Sequence, residues 1–366
     1  MKIISLSVEN FRNIEKETLN FSKGTNLIWG KNAEGKTNIV EAIYYFANSK
    51  SFRTPRDSEL IKFSENEAKL TAVFEDEGRK CKYDVVINKN GKRAFYYNGM
   101  KISKMSDFFG NFRAVLFVPE HLKTVKNGPS ERRSLIDGAI CQLKRTFISD
   151  LFRYSRLSAE KNALLKNYTE NEENNALLDV YDEALIPLAS KITKTRKEYT
   201  KRLFEKAKKH VFDMSGDELS FEFKPSGFSV NEDESDFYKR IIPETRKKDI
   251  LYGSMTAGCQ RDDFDIRLGS ISLRQYGSQG QQRSAVIALK LAEGEIAEEE
   301  KRSSPIYLFD DILSELDETR REYILERLTD KQVIITSCLG SEEGIYSGKR
   351  IFVEKGKYFE EGNEKA

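Results

Sequence analysis

An α/β fold with an antiparallel β subdomain and an inserted helical segment is the class that this sequence of 366 residues predicts. Between residues 25 and 47, a short apolar strand runs into a glycine-containing loop and then into a helix. Residues 68–97 hold short runs rich in Val, Tyr and Phe with Asn-Gly turns, which indicate antiparallel hairpins. Residues 130–214 have a helical period and few glycines, and strand patterns return after residue 251.

The glycine-containing loop is the most specific feature of the chain. It reads Gly30-Lys31-Asn32-Ala33-Glu34-Gly35-Lys36-Thr37 and matches the P-loop pattern G-x-x-x-x-G-K-[ST] without a mismatch. Its glycines let successive backbone N–H groups point into one concavity that holds phosphate oxygens, and Lys36 reaches the β- and γ-phosphates. Thr37 offers a hydroxyl to Mg²⁺. Asn38, the next residue, is included in the predicted nucleotide site. The helix predicted over residues 36–47 attracts the phosphate anion with its N-terminus. The alternative is a glycine turn that fits by chance, and the strand before the loop argues against it.

The remaining elements follow in chain order. Residues 3–8 alternate as a strand, and residues 114–118 form an apolar run that Pro119 ends, which predicts a buried strand. Residues 171–175 are expected to connect two helices, and residues 214–249 are polar and broken. Residues 306–310, 333–336 and 350–354 are further strands, and no heptad run is long enough for an extended coiled coil. We expect a discontinuous α/β domain of residues 1–128 and 251–366 with a compact helical insertion of residues 129–250.

Composition and charge exclude several classes of protein. The chain carries 61 Lys and Arg against 59 Asp and Glu, so its mean charge says nothing about partners. Residues 189–210 hold nine Lys and Arg and two Glu, which favours a contact with phosphates, although a solvated helix face is the alternative. No signal peptide or membrane span is visible, and four scattered cysteines with two histidines argue against zinc and disulfides. We expect a cytoplasmic protein.

A second acidic segment completes the expected nucleotide site. Tyr307-Leu308-Phe309-Asp310-Asp311 reads as a Walker B strand that delivers Asp310 to Mg²⁺ beside Thr37. Asp311 then lies on the γ-phosphate side, where a base polarises the attacking water, so Lys36, Asp310 and Asp311 are the predicted catalytic residues. The alternative is a strand that ends at an acidic turn.

A third segment resembles the signature motif of the ABC ATPase superfamily. It reads Ser278-Gln279-Gly280-Gln281-Gln282-Arg283, with Gln279 in place of the first of the paired glycines. Residues 314–317 resemble the D-loop of that superfamily, and an ordinary helix cap is the alternative for the first segment. About 240 residues separate the P-loop from the signature, which is similar to an SMC-like head whose coiled coil is replaced by a compact lid. In that superfamily the signature binds the γ-phosphate held by another subunit, which implies an ATP-dependent homodimer.

Several longer stretches resemble the RecF family of bacterial recombination proteins. They are residues 9–13, 51–57, 118–122, 128–137, 261–263, 278–283 and 310–317. Two positions depart from the family pattern: His121 stands where Asp is usual, and Cys259-Gln260 where Pro-His is usual. Thr336-Ser337 occupies the place of the switch histidine of transport ABC proteins, and Glu120 lies nearest the place of their Q-loop glutamine.

The resemblance implies an ATP-dependent DNA-binding protein of recombinational repair and replication-gap repair. It implies dimerisation with ATP, binding of duplex DNA near single-strand gaps, and joint action with RecO and RecR to load RecA. By analogy with SMC-like heads, Arg12 is expected to contact the nucleotide. Asp311 is shorter than the Glu found in many relatives, so slow hydrolysis is expected. The alternatives are an SMC-like ATPase of a defence or nuclease system, a transporter subunit, and a scaffold that does not hydrolyse nucleotide.

Overall fold

A computed structural model describes residues 1–225, 232–338 and 348–361 of the chain. The chain divides into two compact units. We call Met1–Lys123 with Val286–Ala366 the head unit, and Thr124–Ala285 the helical unit. The predicted lid of residues 129–250 differs from the helical unit chiefly at its second boundary, which lies 35 residues later in the structure (285 against 250).

Strands and helices are numbered here in chain order. The strands are β1 Lys2–Phe11, β2 Ile14–Asn20, β3 Thr25–Trp29, β4 Glu67–Asp76, β5 Arg79–Asn88, β6 Arg93–Tyr97, β7 Met100–Lys101, β8 Ala114–Phe117, β9 Leu219–Lys224, β10 Asp263–Leu268, β11 Ile271–Ser272, β12 Ile306–Asp310, β13 Val333–Ser337, β14 Gly348–Glu354 and β15 Lys357–Glu360. The helices are α1 Lys36–Asn48, α2 Met105–Phe108, α3 Pro129–Cys141, α4 Arg145–Lys166, α5 Glu172–Ser215, α6 Glu234–Glu244, α7 Arg246–Tyr252, α8 Leu273–Tyr276, α9 Gln279–Lys301 and α10 Glu318–Arg327.

The central sheet of the head unit is mostly parallel, with the order β15-β14-β3-β13-β12-β8. Every residue of β12 and of β13 is buried, as expected for strands covered on both faces. In the register, Thr336 pairs with Asp310 on one side and with Ile28 on the other. The carboxyl ends of β3, β13 and β12 therefore meet at one edge of the sheet, which is where ligands bind in folds of this kind.

The second sheet of the head unit confirms the predicted antiparallel subdomain. Its order is β2-β1-β4-β5-β6-β7, and all its pairs are antiparallel. Alternate residues of β4 are buried, and Phe74 packs against Tyr83 and Phe112. Phe46 of α1 stacks on Tyr83, so the helix after the P-loop packs on this sheet through aromatic rings.

The helical unit contains α3 to α8 and a small sheet of order β11-β10-β9. Helix α5 is 44 residues long; Asn171 caps its start, and Gly216 ends it with a positive φ of 70°. The predicted connection between two helices is present, but it spans residues 167–171 and not 171–175, because α5 already begins at Glu172. Strand β9 lies in the segment predicted as broken, and it pairs with β10. This pairing keeps residues after 250 in the helical unit.

A buried polar network holds the helical unit together. Arg196 of α5 donates to Asp137 of α3 at 2.8 Å and to the fully buried Asp262 at 2.9 Å. Thr193 also donates to Asp262, at 2.9 Å. Asp262 belongs to the segment 261–263 that resembles the RecF family, so its place in this network gives that resemblance a structural reason. In the described part of the chain, no helix combines the length and apolar character needed to span a bilayer.

Candidate nucleotide site

The P-loop follows β3 directly and leads into α1, as the sequence predicts. Gly30 has a φ of 154° and Gly35 a φ of 120°, in the region that favours glycine. A Cβ atom on Gly30 would lie 2.4 Å from the carbonyl oxygen of Val353, so no larger residue fits there. Lys31, Asn32 and Ala33 are exposed at the tip of the loop, and Glu34 is half-buried.

Lys36 is buried inside the loop, and no carboxylate of the described residues lies within ion-pair distance of its ammonium group. Its Nζ atom donates to the carbonyl oxygens of Gly30 at 2.7 Å and Lys31 at 2.9 Å. Carbonyl dipoles stabilise the ammonium group only partly, so a phosphate oxygen is the partner that would complete its neutralisation.

Asp310 and Thr37 lie together at the carboxyl end of the sheet. Asp310 Oδ1 accepts hydrogen bonds from Thr37 Oγ1 at 2.9 Å and from Thr336 Oγ1 at 2.8 Å. Burial raises the pKa of the Asp310 carboxyl, and the two hydroxyl groups act in the opposite direction. A hydroxyl and a carboxylate side by side are oxygen ligands of the type that Mg²⁺ takes, so the residues present fit this metal.

Asp311 follows Asp310 in a conformation that is uncommon for a residue with a side chain. Its φ is 52°, and its backbone N–H donates to Thr336 Oγ1 at 3.0 Å. The sulfur of Cys338 lies 3.6 Å from its carboxylate and 3.7 Å from Lys36 Nζ. Sequence reasoning missed Cys338; its place one residue after Thr336-Ser337, at the end of β13, was the available signal.

Arg12 is bound to a helix carboxylate. Its guanidinium donates to both oxygens of the fully buried Glu41 on α1, at 2.9 and 2.6 Å, and to the carbonyl oxygen of Glu59 at 2.9 Å. The expected contact of Arg12 with a nucleotide stays a prediction.

Arg53 is a second residue that sequence reasoning missed. Its Nη1 atom donates to Asn38 Oδ1 at 2.8 Å, and its charge acts to lower the pKa of Asp310. The same nitrogen lies 3.4 Å from Glu41. Arg53 therefore contributes positive charge beside Asn38 and the acidic end of β12. Its segment, residues 51–57, was noticed for its resemblance to the RecF family, but no role followed from its residue types.

The signature-like segment begins α9 with a reciprocal cap. The Gln281 backbone N–H donates to Ser278 Oγ at 3.2 Å, and Gln281 Oε1 accepts from the Ser278 N–H at 3.1 Å. Gln282 donates to the carbonyl oxygens of Leu273 and Gly277, which fixes the turn before the helix. Ser278 and Gln279 are exposed, and Gly280 is half-buried. The segment lies in the helical unit, with part of the side-chain capacity of Ser278 and Gln281 used by the cap.

Comparison with known proteins identifies the family. The family model described as the RecF/RecN/SMC N terminal domain matches residues 2–343. The chain is 36% identical over 345 residues to the DNA replication and repair protein RecF of Agathobacter rectalis, covering 94% of this chain and 93% of the relative. It is 39% identical over 338 residues to the protein of the same description from Clostridium novyi, covering 92% of each.

Comparison with solved structures points to the same family. A structure of the recombination mediator protein RecF with ATP, in the RecFOR pathway, superposes with a TM-score of 0.91 at 32% identity and covers 99% of this chain and 98% of its own. An Smc head domain from Pyrococcus furiosus, at a TM-score of 0.57 and 18% identity over 99% of this chain and 97% of its own, shares the fold alone. The chain belongs to the RecF family of SMC-like, ABC-type P-loop ATPases.

Proposed function

We propose that this chain is an ATP-dependent DNA-binding protein of recombinational repair and replication-gap repair. The observation that carries the proposal is the 2.9 Å contact of Thr37 with Asp310, together with the buried ammonium of Lys36, which has no carboxylate partner in the part of the chain that the structure describes. Both features belong to a chain of the RecF family, whose relatives bear the description of DNA replication and repair proteins. Together they support binding of Mg·ATP in a protein that acts on DNA.

The residues of the head unit divide the work on ATP. The backbone N–H groups of residues 30–37 and the Lys36 ammonium bind the β- and γ-phosphates, and Asn38 with Arg53 borders the site. Thr37 and Asp310 would hold Mg²⁺, which would neutralise phosphate charge. Asp311 orients the water that attacks the γ-phosphorus and accepts its proton. A carboxylate one methylene shorter than Glu lies farther from that water, so we expect a weak ATPase.

Dimerisation makes ATP a switch. In the proposed dimer, Ser278, Gln279, Gly280 and Gln281 of one copy close over the γ-phosphate held by the other copy. The exposed side chains of Ser278 and Gln279 at the start of α9 are suited to this role, because a helix N-terminus attracts anions. Hydrolysis removes the shared phosphate, and the two copies separate.

The long helix α5 supplies a surface for duplex DNA. Five of its lysines are exposed, and none of them has an ion-pair partner among the described residues: Lys191, Lys194, Lys201, Lys208 and Lys209. We call these five the lysine face. Lys194, Lys201 and Lys208 are spaced seven residues apart, so they recur about every 10 Å along the helix. Ammonium groups without partners release counterions from a phosphate backbone and do not read base sequence, which suits binding that depends on DNA structure.

The proposed partners are DNA and the other proteins of the same repair pathway. We propose that the ATP-bound dimer recognises duplex DNA next to a single-strand gap in the cytoplasm. There it acts with RecR and RecO, which in turn load RecA. Of the functions that the sequence left open, a defence or nuclease ATPase differs most clearly, because it need not grip DNA itself.

Duplex binding by the purified chain tests the proposal. A fluorescent gapped duplex is titrated with protein without nucleotide, with Mg·ATP, and with a slowly hydrolysed ATP analogue, while the mass of the protein is measured in parallel. We expect a dimer and tight duplex binding only with nucleotide, and a longer-lived complex with the analogue. The proposal is contradicted if the protein stays monomeric in saturating Mg·ATP with duplex present. It is also contradicted if the affinity for duplex DNA is the same with and without nucleotide.

A further inference from the structure

The turn between β14 and β15 lies directly behind the P-loop. The backbone N–H of Gly356 donates to the carbonyl oxygen of Glu34 at 2.9 Å, and the N–H of Lys355 donates to the Glu34 carboxylate. The Tyr358 hydroxyl donates to the carbonyl oxygen of Gly35 at 2.9 Å. Two consecutive carbonyl groups of the P-loop are thus bound by one hairpin from the far end of the chain.

The turn between β1 and β2 holds the same peptide from another side. Asn13 Nδ2 donates to the carbonyl oxygen of Glu34 at 3.2 Å, while Asn13 Oδ1 accepts from Asn38 Nδ2 at 2.7 Å. The space is full as well as hydrogen-bonded, since a Cβ on Gly35 would lie 3.0 Å from both Tyr358 and Asn13. The second half of the P-loop is therefore clamped in one orientation.

Peptide geometry connects this clamp to phosphate binding. In a trans peptide the C=O of one residue and the N–H of the next point in opposite directions. Holding the Glu34 carbonyl outward directs the Gly35 N–H inward, and holding the Gly35 carbonyl directs the Lys36 N–H inward. A flipped peptide would present a carbonyl oxygen to the phosphate and repel it.

We propose that Tyr358 is a positioning residue for nucleotide binding, acting through the Gly35 carbonyl as part of the β14–β15 hairpin. The proposal rests on the ATP site of the proposed function and extends it to a strand that carries none of the recognised motifs. Tyr358 does not reach the reacting atoms. It lowers the cost of ordering the loop, so its effect belongs to binding and not to the chemical step.

The test compares two variants that each lose one tyrosine hydroxyl. Tyr358→Phe removes the donor to Gly35 and keeps the ring. Tyr83→Phe is the matched control, because the Tyr83 hydroxyl donates to the carbonyl oxygen of Phe108 on α2 at 2.5 Å and not to a P-loop carbonyl. The affinity for Mg·ATP and Mg·ADP is measured by calorimetry without DNA, and hydrolysis gives KM and kcat.

We expect Tyr358→Phe to bind both nucleotides about three- to tenfold more weakly, the range of one lost hydrogen bond, and to raise KM while kcat stays within about twofold. Tyr83→Phe is expected to lower the melting temperature and to keep wild-type nucleotide affinity. Equal affinity of Tyr358→Phe and the wild type overturns the inference, and so does an equal loss in both variants.

A further variant keeps the test decisive if Tyr358→Phe folds poorly. Asn13→Ala removes the side-chain donor to the neighbouring Glu34 carbonyl and should weaken nucleotide binding in the same way; unchanged affinity contradicts the inference. Absence of nucleotide binding by the wild-type chain would instead overturn the proposed function, so the two failures are distinguishable.

Discussion

Two buried lysines, one in each unit, differ in what neutralises them. Lys161 on α4 of the helical unit is fully buried, and its ammonium lies 2.6 Å from Asp182 and 3.7 Å from Asp249. Lys36 in the head unit is also buried, but only carbonyl oxygens and a thiol surround it, and no carboxylate among the described residues lies within ion-pair distance. A buried cation with its anions in place cannot be removed without leaving charge uncompensated in the fold, whereas one without them is a candidate binding site for an anionic ligand.

The largest expected effect is on stability, in the helical unit. Lys161→Met removes the cation that Asp182 and Asp249 share, and breaking such a buried pair costs about 3 kcal/mol of unfolding free energy. Asp182 keeps its ion pair with Arg246 at 2.6 Å, so the uncompensated charge is chiefly that of Asp249. Urea denaturation measures the loss, with nucleotide affinity expected to stay unchanged. Adding Asp249→Asn to this variant should recover part of the stability, because one unpaired charge is removed. A Lys161→Met protein with the unfolding free energy of the wild type would contradict the structural role assigned to Lys161.

The second effect is on nucleotide affinity, in the head unit. Lys36→Ala should weaken Mg·ATP binding by about a hundredfold, which is about 2.7 kcal/mol, and abolish ATP-dependent dimerisation and duplex retention. The unfolding free energy without nucleotide should change by less than about 1 kcal/mol, because Lys36 has no ion pair with a described residue to lose. Calorimetry and denaturation separate the two quantities. Intact dimerisation and DNA retention in this variant would refute the proposed switch.

The lysine face extends the comparison to exposed cations. Replacing Lys194, Lys201 and Lys208 with Gln should make the slope of log affinity against log salt concentration less steep by about 2.7, at about 0.9 per phosphate contact. We expect duplex binding to weaken about tenfold at moderate salt.

The control for this variant replaces three exposed lysines of the head unit with Gln, namely Lys80, Lys89 and Lys92, for the same change in net charge. It should retain the wild-type salt slope in fluorescence titrations of duplex DNA. If both triple variants lost duplex affinity and salt slope equally, the lysines of α5 would contribute only net charge and would not form a specific DNA contact.

The smallest effect concerns His121, which faces a cation. Burial and the nearby Lys290 lower the pKa of His121 to about 3, while its ring is hydrogen-bonded to the Leu116 carbonyl oxygen at 3.1 Å. Lys290 is itself paired with Glu293 at 2.5 Å. Below pH 6.5 the unfolded chain binds a proton at His121 that the folded chain excludes, so stability falls as the pH decreases toward 3.

His121→Asn keeps an N–H donor and removes this titration. Relative to the variant, the wild type should lose about 1 kcal/mol between pH 7 and pH 5, with allowance for solvent screening. Urea denaturation at pH 7, 6 and 5 measures the difference. Parallel stability curves for the two proteins would mean that His121 keeps an ordinary pKa when folded.

What the sequence determined by itself lies in contiguous patterns. Three features each occupy a few neighbouring positions, so the local sequence is enough to specify them. They are the P-loop from Gly30 to Thr37, the strand before Asp310 and the cap at Ser278. The α/β class, the antiparallel subdomain and the RecF family follow from such patterns, and the structure and the comparisons confirm them.

Tertiary structure decided what depends on pairing between distant segments. The end of the helical unit at Ala285 follows from β9 pairing with β10, and Lys161 is recognisable as a structural cation only when α4, α5 and α7 bring its carboxylates together. Tyr358 contacts Gly35 across 323 positions of sequence, and Cys338 reaches Lys36 across 302. Periodicity reports which face of an element is buried, but it carries no information on which partner fills the space opposite, and that choice gives these residues their roles.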